Sequence, residues 1–120
     1  MDTNKIKDIL NYYENTYNMC NSKEEILKEL LDNNVEVHGN SYYCEVYDSK
    51  INATVILAGT KDKADMWVMK KIIRTIKNND YVLSALNGNI EYLVSKLSRY
   101  NCNVISEVNG VAIISFKKDR

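Results

Sequence analysis

Residues 51–86 read INATVILAGTKDKADMWVMKKIIRTIKNNDYVLSAL, and this stretch decides the fold. Its first apolar run, Ala53–Ala58, shows little alternation, which is typical of a strand covered on both faces. Tyr81–Leu86 is a second run of the same kind. Between the two runs, residues 62–78 have the apolar spacing of an amphipathic helix. A strand, a crossover helix and a second strand predict a right-handed unit with two neighbouring parallel strands, 51–60 and 81–87.

The helix of this unit separates apolar from basic side chains. Its apolar side carries Met66, Met69, Ile72, Ile73 and Ile76, and its polar side carries Lys63, Lys70, Arg74 and Lys77. Trp67 adds a ring to the basic stripe, and cations beside an aromatic ring are typical of single-strand nucleic-acid binding. An ordinary solvated helix face accounts for the same stripe. Nucleic-acid binding is therefore a minor alternative.

The segments on either side extend this unit. Upstream we predict helices at 4–18 and 22–31, followed by strands at 35–38 and 42–48 that form a meander with 51–60. Downstream we predict a helix after Asn89, a stop at a left-handed Asn101, and a closing hairpin of 103–108 and 111–117 joined by Asn109-Gly110. The order α-α-β-β-β-α-β-α-β-β predicts one α/β domain over residues 1–120, with a mixed α+β sheet around a central parallel strand pair.

Composition limits the function classes. The chain is 45% hydrophobic and 27% charged, and its 16 basic and 16 acidic residues give a formal net charge of zero. Zero net charge argues against nucleic acid as the main partner. The apolar runs are too short to cross a membrane and the N-terminus lacks a signal peptide, so we expect a cytoplasmic protein. Three widely spaced cysteines predict neither a disulfide nor a metal site. The proline-free composition, rich in Asn, Lys, Ile and Tyr, suggests an AT-rich bacterial or viral genome.

The order of elements resembles the GCN5-related N-acetyltransferase (GNAT) fold without its usual first strand, over nearly the whole chain from Lys5 to Lys117. The most specific stretch is Tyr81–Phe116, which is similar to the family's back half: a strand ending in Asn, an amphipathic helix, a tight stop and a closing hairpin. The resemblance implies an acetyltransferase fold, and it raises the question of whether this chain keeps the family's activity.

In the family, acetyl-coenzyme A lies between the two central parallel strands, and its pyrophosphate sits on the N-terminus of the connecting helix. Unpaired N–H groups and the positive end of the helix dipole attract the anion there. If acetyl-coenzyme A binds this chain, the resemblance implies contacts from Leu57, Ala58, Gly59, Lys61, Lys63, Ala64, Asn87 and Asn89.

The pyrophosphate loop departs from the family pattern. The family has Gln/Arg-x-x-Gly-x-Gly/Ala, whereas residues 61–66 read KDKADM. Lys61 occupies the position of the family's Gln or Arg, and Ala64 occupies that of its first glycine. Met66, however, occupies the position of the last small residue. Asp62 and Asp65 favour capping of the helix and would repel pyrophosphate. We therefore expect no cofactor, and acetyl-coenzyme A only if the protein is an enzyme.

The catalytic residues of the family are also incompletely matched. The family's general acid is a Tyr on the last helix, and its position here is occupied by Leu97, with Tyr100 as a nearby substitute. Glu45 and Glu36 lie on the meander, where the family often places a general base, although a solvated strand carboxylate is the simpler interpretation of each. His38 beside Gly39 is a third candidate base, and a turn residue is again the simpler interpretation.

Two hypotheses from different classes follow. The first is a non-catalytic GNAT-like domain that acts through protein contacts or self-association, in the manner of the short, degenerate members of this fold among phage proteins, in the virion or the host cytoplasm. The tyrosines Tyr12, Tyr13, Tyr17, Tyr42, Tyr43 and Tyr47 suit such a contact surface. The alternative is a small N-acetyltransferase that transfers acetyl from acetyl-coenzyme A to an amine.

Overall fold

The computed structural model of the chain describes residues 35–49, 52–108 and 110–118. The strands within them are β1 (Glu36–His38), β2 (Ser41–Asp48), β3 (Ala53–Thr60), β4 (Tyr81–Gly88), β5 (Cys102–Val108) and β6 (Val111–Lys117), and the helices are α1 (Met66–Asn78) and α2 (Ile90–Leu97). The two helices predicted at 4–18 and 22–31 lie outside the described residues, as does Asn109.

The six strands form one sheet in the order β1-β2-β3-β4-β6-β5. β3 and β4 are parallel, from Thr54 beside Val82 to Thr60 beside Gly88, and α1 connects them. Each of the other neighbouring pairs is antiparallel. The predicted parallel pair with its crossover helix is therefore confirmed, and the fold is α+β with a mixed sheet.

Both helices lie against the same face of the sheet. The crossovers from β3 to β4 and from β4 to β5 run in the same direction across the sheet, so their common right-handedness places α1 and α2 on one side. Met69 and Ile72 of α1 and Leu93 of α2 are at most 1% exposed and belong to one cluster with sheet residues such as Ile56. Full burial of such a side chain stabilises the fold by about 1.5–3 kcal/mol.

The opposite face of the sheet is buried as well. Val55 and Leu57 of β3, Leu83 and Ala85 of β4, and Ile113 of β6 are at most 6% exposed and form a second cluster. The central strands therefore have core on both sides. This finding confirms the interpretation of the two runs with little alternation in the sequence.

The start of α1 and the conformation of Asn101 differ from the prediction. α1 begins four residues later than expected, because residues 62–65 form a capped loop. Asn101 was expected to be left-handed, but among the described residues other than glycine it is Asn52 that has a positive φ. Asn101 instead joins the sheet: its carbonyl accepts from the N–H of Lys117, and its side-chain amide donates to the Lys117 carbonyl.

The closing hairpin has the predicted register from Val108 beside Val111 to Ser106 beside Ile113, whereas Val104 lies opposite Ile114 and not opposite Ser115 as a two-residue turn predicts. Gly110 has a φ of +75°, as the predicted turn requires. Farther along the hairpin a β-bulge interrupts the pairing between Val104 and Ser106. No turn or glycine signal in the sequence indicates this bulge.

Candidate functional site

The two carboxylates of the loop before α1 accept hydrogen bonds from backbone N–H groups, and one of them, Asp65, caps the helix. The backbone N–H of Ala64 donates to Asp62 Oδ1 at 2.8 Å, and the N–H of Trp67 donates to Asp65 Oδ1 at 2.9 Å. The N–H of Trp67 belongs to the first turn of the helix and is of the kind that an anion would bind at a helix start. It is already satisfied by the N-cap Asp65, whereas Asp62, which was expected to cap the helix as well, accepts from an N–H within the loop.

The second oxygen of Asp65 connects the loop to the β1–β2 hairpin. The buried hydroxyl of Ser41 donates to Asp65 Oδ2 at 2.5 Å and lies 2.8 Å from Thr60 Oγ1 in a second hydrogen bond. His38 Nδ1 is 3.7 Å from the same Asp65 oxygen. The hydrogen bond from Ser41 is the main cause that holds the pKa of Asp65 below its usual range. The ionised carboxylate of Asp65 thus contacts three elements: β1 through His38, β2 through Ser41 and α1 through Trp67.

Ser41, His38 and Asp65 do not form a nucleophilic triad. In such a triad the base lies between the nucleophile and the carboxylate. Here the carboxylate lies in the middle, and the proton of the Ser41 hydroxyl points at Asp65. The arrangement therefore holds the loop in place and does not activate Ser41 as a nucleophile.

Trp67 faces a different set of groups from the basic stripe in which the sequence placed it. Its ring stacks on His38, with centroids 5.4 Å apart and an angle of 21° between the planes. Lys71 Nζ lies 5.6 Å from the Trp67 ring centroid and 2.9 Å from Glu36. Trp67 therefore packs the β1 strand onto α1.

The carboxyl ends of β3 and β4 are in close contact. The N–H of Asn89 donates to the Thr60 carbonyl at 2.5 Å, immediately beyond the last paired residues. A Cβ on Gly59 would lie 2.2 Å from the Asn87 carbonyl oxygen, and one on Gly88 would lie 2.4 Å from the Thr60 carbonyl oxygen. Glycine at both positions allows the two strands to stay together to their ends.

The strand residues that the resemblance assigned to the cofactor lie inside the sheet. Leu57, Ala58 and Gly59 pair with β2 on one side and with β4 on the other, and all three are buried. Their backbone groups are therefore committed to the two ladders of the sheet.

The remaining positions assigned to the cofactor lie around the strand ends. Lys61, Lys63 and Ala64 are exposed on the loop before α1. Asn87 is half-buried, and its amide donates to the Gly110 carbonyl at 3.5 Å. Asn89 is the N-cap of α2, where its side chain accepts from the N–H of Tyr92 at 3.3 Å.

Glu45 belongs to a cluster of hydroxyl groups between β2 and α1. Its Oε2 accepts from Tyr43 Oη at 2.7 Å and from Thr75 Oγ1 at 2.9 Å, and the two hydroxyls contact each other. Burial raises the pKa of Tyr43 above its usual range, and the negative charge of Glu45 adds to that effect. The Glu45 side chain is exposed, yet its carboxylate is engaged with two hydroxyl donors.

Tyr100 lies elsewhere in the fold. It follows α2, its N–H donates to the Leu97 carbonyl at 3.0 Å, and the Arg99 guanidinium lies 5.3 Å from its ring centroid. β2, which carries Glu45, and β5, which Tyr100 precedes, are separated in the sheet by β3, β4 and β6. At about 4.8 Å between strands this is roughly 19 Å of sheet. The structure does not bring the two candidate catalytic residues together.

A cavity that was not expected from the sequence lies where the two helices end. It has a volume of ≈ 260 Å³ and is lined by four cations, Lys77, Arg99, Lys117 and Lys118, around Tyr100 and the buried Phe116. Its cations come from three separate segments of the chain. Only the Lys117-Lys118 pair at the end of β6 indicates part of this cavity in the sequence, because these two cations are adjacent.

The described residues contain neither a membrane-spanning helix nor a metal cluster. No helix among them is long and apolar enough to cross a membrane. Nor do three or more His, Cys, Asp or Glu side chains of that part of the chain come together in a way that could hold a metal ion. Comparison of the chain with protein families, with curated proteins and with solved structures finds no match in any of the three.

Proposed function

We propose that this protein is a GNAT-like domain that transfers no acetyl group and works through contacts with protein. The order of the strands around the parallel pair of β3 and β4 supports the resemblance on which this proposal rests. The phage setting is part of the same proposal and rests on the composition of the chain.

The observation that carries the non-catalytic part is the hydrogen bond between Asn89 N–H and the Thr60 carbonyl. In the GNAT family the cofactor lies between the two central parallel strands. In this chain those strands are paired to their ends, and Gly59 and Gly88 leave no space between the backbones. A cofactor could enter there only if these contacts were broken.

The loop before α1 supports the same conclusion. Asp62 and Asp65 accept the N–H groups of Ala64 and Trp67, and each carries a negative charge that would oppose pyrophosphate. At a surface site each such charge costs the bound anion on the order of 1 kcal/mol before screening. Lys61 and Lys63 offset part of that repulsion.

Of the tyrosines expected to form a contact surface, Tyr42 and Tyr43 are buried in the sheet, and Tyr47 is exposed. The proposed contact surface is therefore the outer strand β5. Its Val104 and Ile105 are 44% and 42% exposed, at the bulge in an edge strand. Adjacent exposed apolar side chains on an edge strand indicate an interaction surface, because contact with a partner removes their apolar area from water. We assign a second copy of the chain as the partner, because a formal net charge of zero lets two copies meet without net repulsion.

Sedimentation velocity tests this surface. We expect the native chain to self-associate as its concentration is raised, and a Val104→Ser/Ile105→Ser variant to remain monomeric. The matched control is Val37→Ser/Tyr47→Ser, which removes two exposed apolar side chains at the opposite edge of the sheet and should still associate. A native chain that stays monomeric, or loss of association in the control alone, would contradict the assignment to β5.

The alternative is a small N-acetyltransferase. Its supporting observation is the exposed side chain of Glu45 on β2, where a general base for an amine is expected. It predicts release of coenzyme A from acetyl-coenzyme A in the presence of a polyamine, detected as free thiol, and loss of that release in Glu45→Gln. Absence of thiol release by the native chain with a panel of amines would contradict it.

A further inference from the structure

The ends of α1 and α2 form a strongly positive cavity. Lys77 lies in the last turn of α1 and Arg99 just after α2, while Lys117 and Lys118 come from the end of β6. All four side chains are exposed, and none of the described residues that line the cavity of ≈ 260 Å³ is Asp or Glu. This site lies at the opposite end of β4 from the β3–β4 strand ends, and it adjoins the start of β5, because Asn101 lines it.

Helix capping explains only part of this charge. Lys118 Nζ donates to the Lys77 carbonyl at 3.2 Å, which satisfies one carbonyl at the end of α1. Two helix C-termini together carry about one negative charge. Four cations against that charge leave an excess of about three positive charges among the residues that line the cavity, and of about two if the neighbouring Asp80, whose carbonyl accepts from the Lys118 N–H at 2.9 Å, is counted.

The cavity has the features of a site for phosphate. The Arg99 guanidinium lies over the Tyr100 ring at 5.3 Å, and this cation–π contact favours one position of a group that binds phosphate with two parallel N–H donors. Phe116 and Ile76 give the cavity apolar walls, which strengthen the attraction between the cations and an anion. The volume is slightly below the usual range for ligand pockets, so it suits one nucleotide-sized unit.

The positive surface continues along α1. Arg74 and Lys70 are exposed three and seven residues before Lys77, which extends the row by about 10 Å along the helix. Neither side chain forms an ion pair within the described part of the chain. A row of cations that leads away from a cavity matches several linked phosphates better than it matches a single phosphate group.

We propose that this cavity and the row on α1 bind single-stranded nucleic acid, with one phosphate among Lys77, Arg99, Lys117 and Lys118 and the next ones along Arg74 and Lys70. The formal net charge of zero, which is a sum over the whole chain, argues against such binding. The fold, however, concentrates cations from three segments at one end of the helices. These cations recognise the phosphates of the ligand, and the cavity of ≈ 260 Å³ suits one nucleotide-sized unit, which favours a single strand over a duplex.

Fluorescence anisotropy of a labelled single-stranded oligonucleotide tests the proposal. We expect the native chain to bind, and Lys77→Gln/Lys117→Gln to bind about tenfold more weakly at about 50 mM salt. The slope of log affinity against log salt should fall in magnitude by about 1.4, because each phosphate that a cation neutralises on a single strand accounts for about 0.7 of that slope. The matched control is Lys61→Gln/Lys63→Gln, which makes the same change of net charge at the other end of α1 and should bind like the native chain.

Three results would overturn the proposal. One is no binding by the native chain, and another is an equal reduction of affinity in the two double variants, which would indicate attraction to overall charge. The third is competition by inorganic phosphate as effective, per phosphate, as competition by unlabelled oligonucleotide, which would make the site one for a single small anion. Circular dichroism of each variant establishes that it is folded before binding is compared.

Discussion

The backbone N–H of Asn89 donates to the carbonyl oxygen of Thr60 across 2.5 Å. This hydrogen bond joins the N-cap of α2 to the last residue of β3, so the two parallel strands remain together where they leave the sheet. It forms only because Gly88, with a φ of +101°, turns the chain directly beside the Thr60 carbonyl. The following predictions test this closed end, the loop beside it and the closing hairpin.

Gly88→Ala should destabilise the fold strongly. A Cβ there would meet the Thr60 carbonyl oxygen at 2.4 Å, in a backbone conformation that side chains rarely adopt. We expect a decrease of about 3 kcal/mol in the free energy of unfolding, measured by urea denaturation. Gly39→Ala is the control, because Gly39 also has positive φ but has nothing within 4 Å of the added Cβ, and it should cost only about 1 kcal/mol. Equal costs would mean that the strand ends are not in close contact.

Asp65 should make stability depend on pH in the acid range. Its pKa in the folded chain is lowered below the ordinary value of 3.8, so its stabilising effect is complete above that value and is lost as the pH falls through the lower folded pKa. The difference in unfolding free energy between the native chain and Asp65→Asn should therefore be largest at neutral pH and shrink with acidification. A difference that stays constant down to a pH of about 2 would contradict the role of the Asp65 charge.

The hairpin turn at Gly110 should resist β-branched residues. Its φ of +75° is left-handed, and nothing lies within 4 Å of an added Cβ, so the cost is one of conformation alone. Gly110→Val should reduce the free energy of unfolding by about 1 kcal/mol or more and lower the melting temperature. Gly110→Asn, which tolerates this conformation better, should cost less. An unchanged melting temperature in Gly110→Val would count against the turn.

Substitution of Asp62 and Asp65 should separate the effect of capping on stability from the effect of negative charge on anion binding. Asp62→Gly/Asp65→Gly should lower stability by about 1 kcal/mol through loss of the Asp65 cap and raise the affinity of the loop for pyrophosphate. In Asp62→Asn/Asp65→Asn the side-chain oxygen at position 65 can still cap the helix and the one at position 62 can still accept from the Ala64 N–H, so affinity should rise with a smaller decrease in stability. Calorimetry and urea denaturation give the two readouts. Unchanged affinity in both variants would show that these carboxylates do not oppose the anion.

The central unit of the fold could be predicted because its signals are local. The runs at Ala53–Ala58 and Tyr81–Leu86 and the helical spacing between them each lie within one element, and a short crossover fixes how the elements pair. The Asn109-Gly110 pair is also local, and the register it predicts is confirmed from Val108 beside Val111 to Ser106 beside Ile113 and is wrong beyond the bulge. These features needed no knowledge of distant contacts.

The candidate site could be predicted only in outline because its contacts join distant parts of the chain. Asp65 was recognised as a cap, but its bonds to Ser41 and His38 cross from the loop to the first hairpin. The glycines at the strand ends are visible in the sequence, yet their close approach follows from the register of β3 against β4. The basic cavity combines three segments and gives no continuous pattern along the sequence.

Calorimetric titration of the native chain with acetyl-coenzyme A tests the central claim most directly. The strand ends joined through Thr60 and Asn89, together with the carboxylates of Asp62 and Asp65, predict no measurable heat of binding. A dissociation constant in the micromolar range or tighter would contradict the non-catalytic proposal and favour the acetyltransferase in its place.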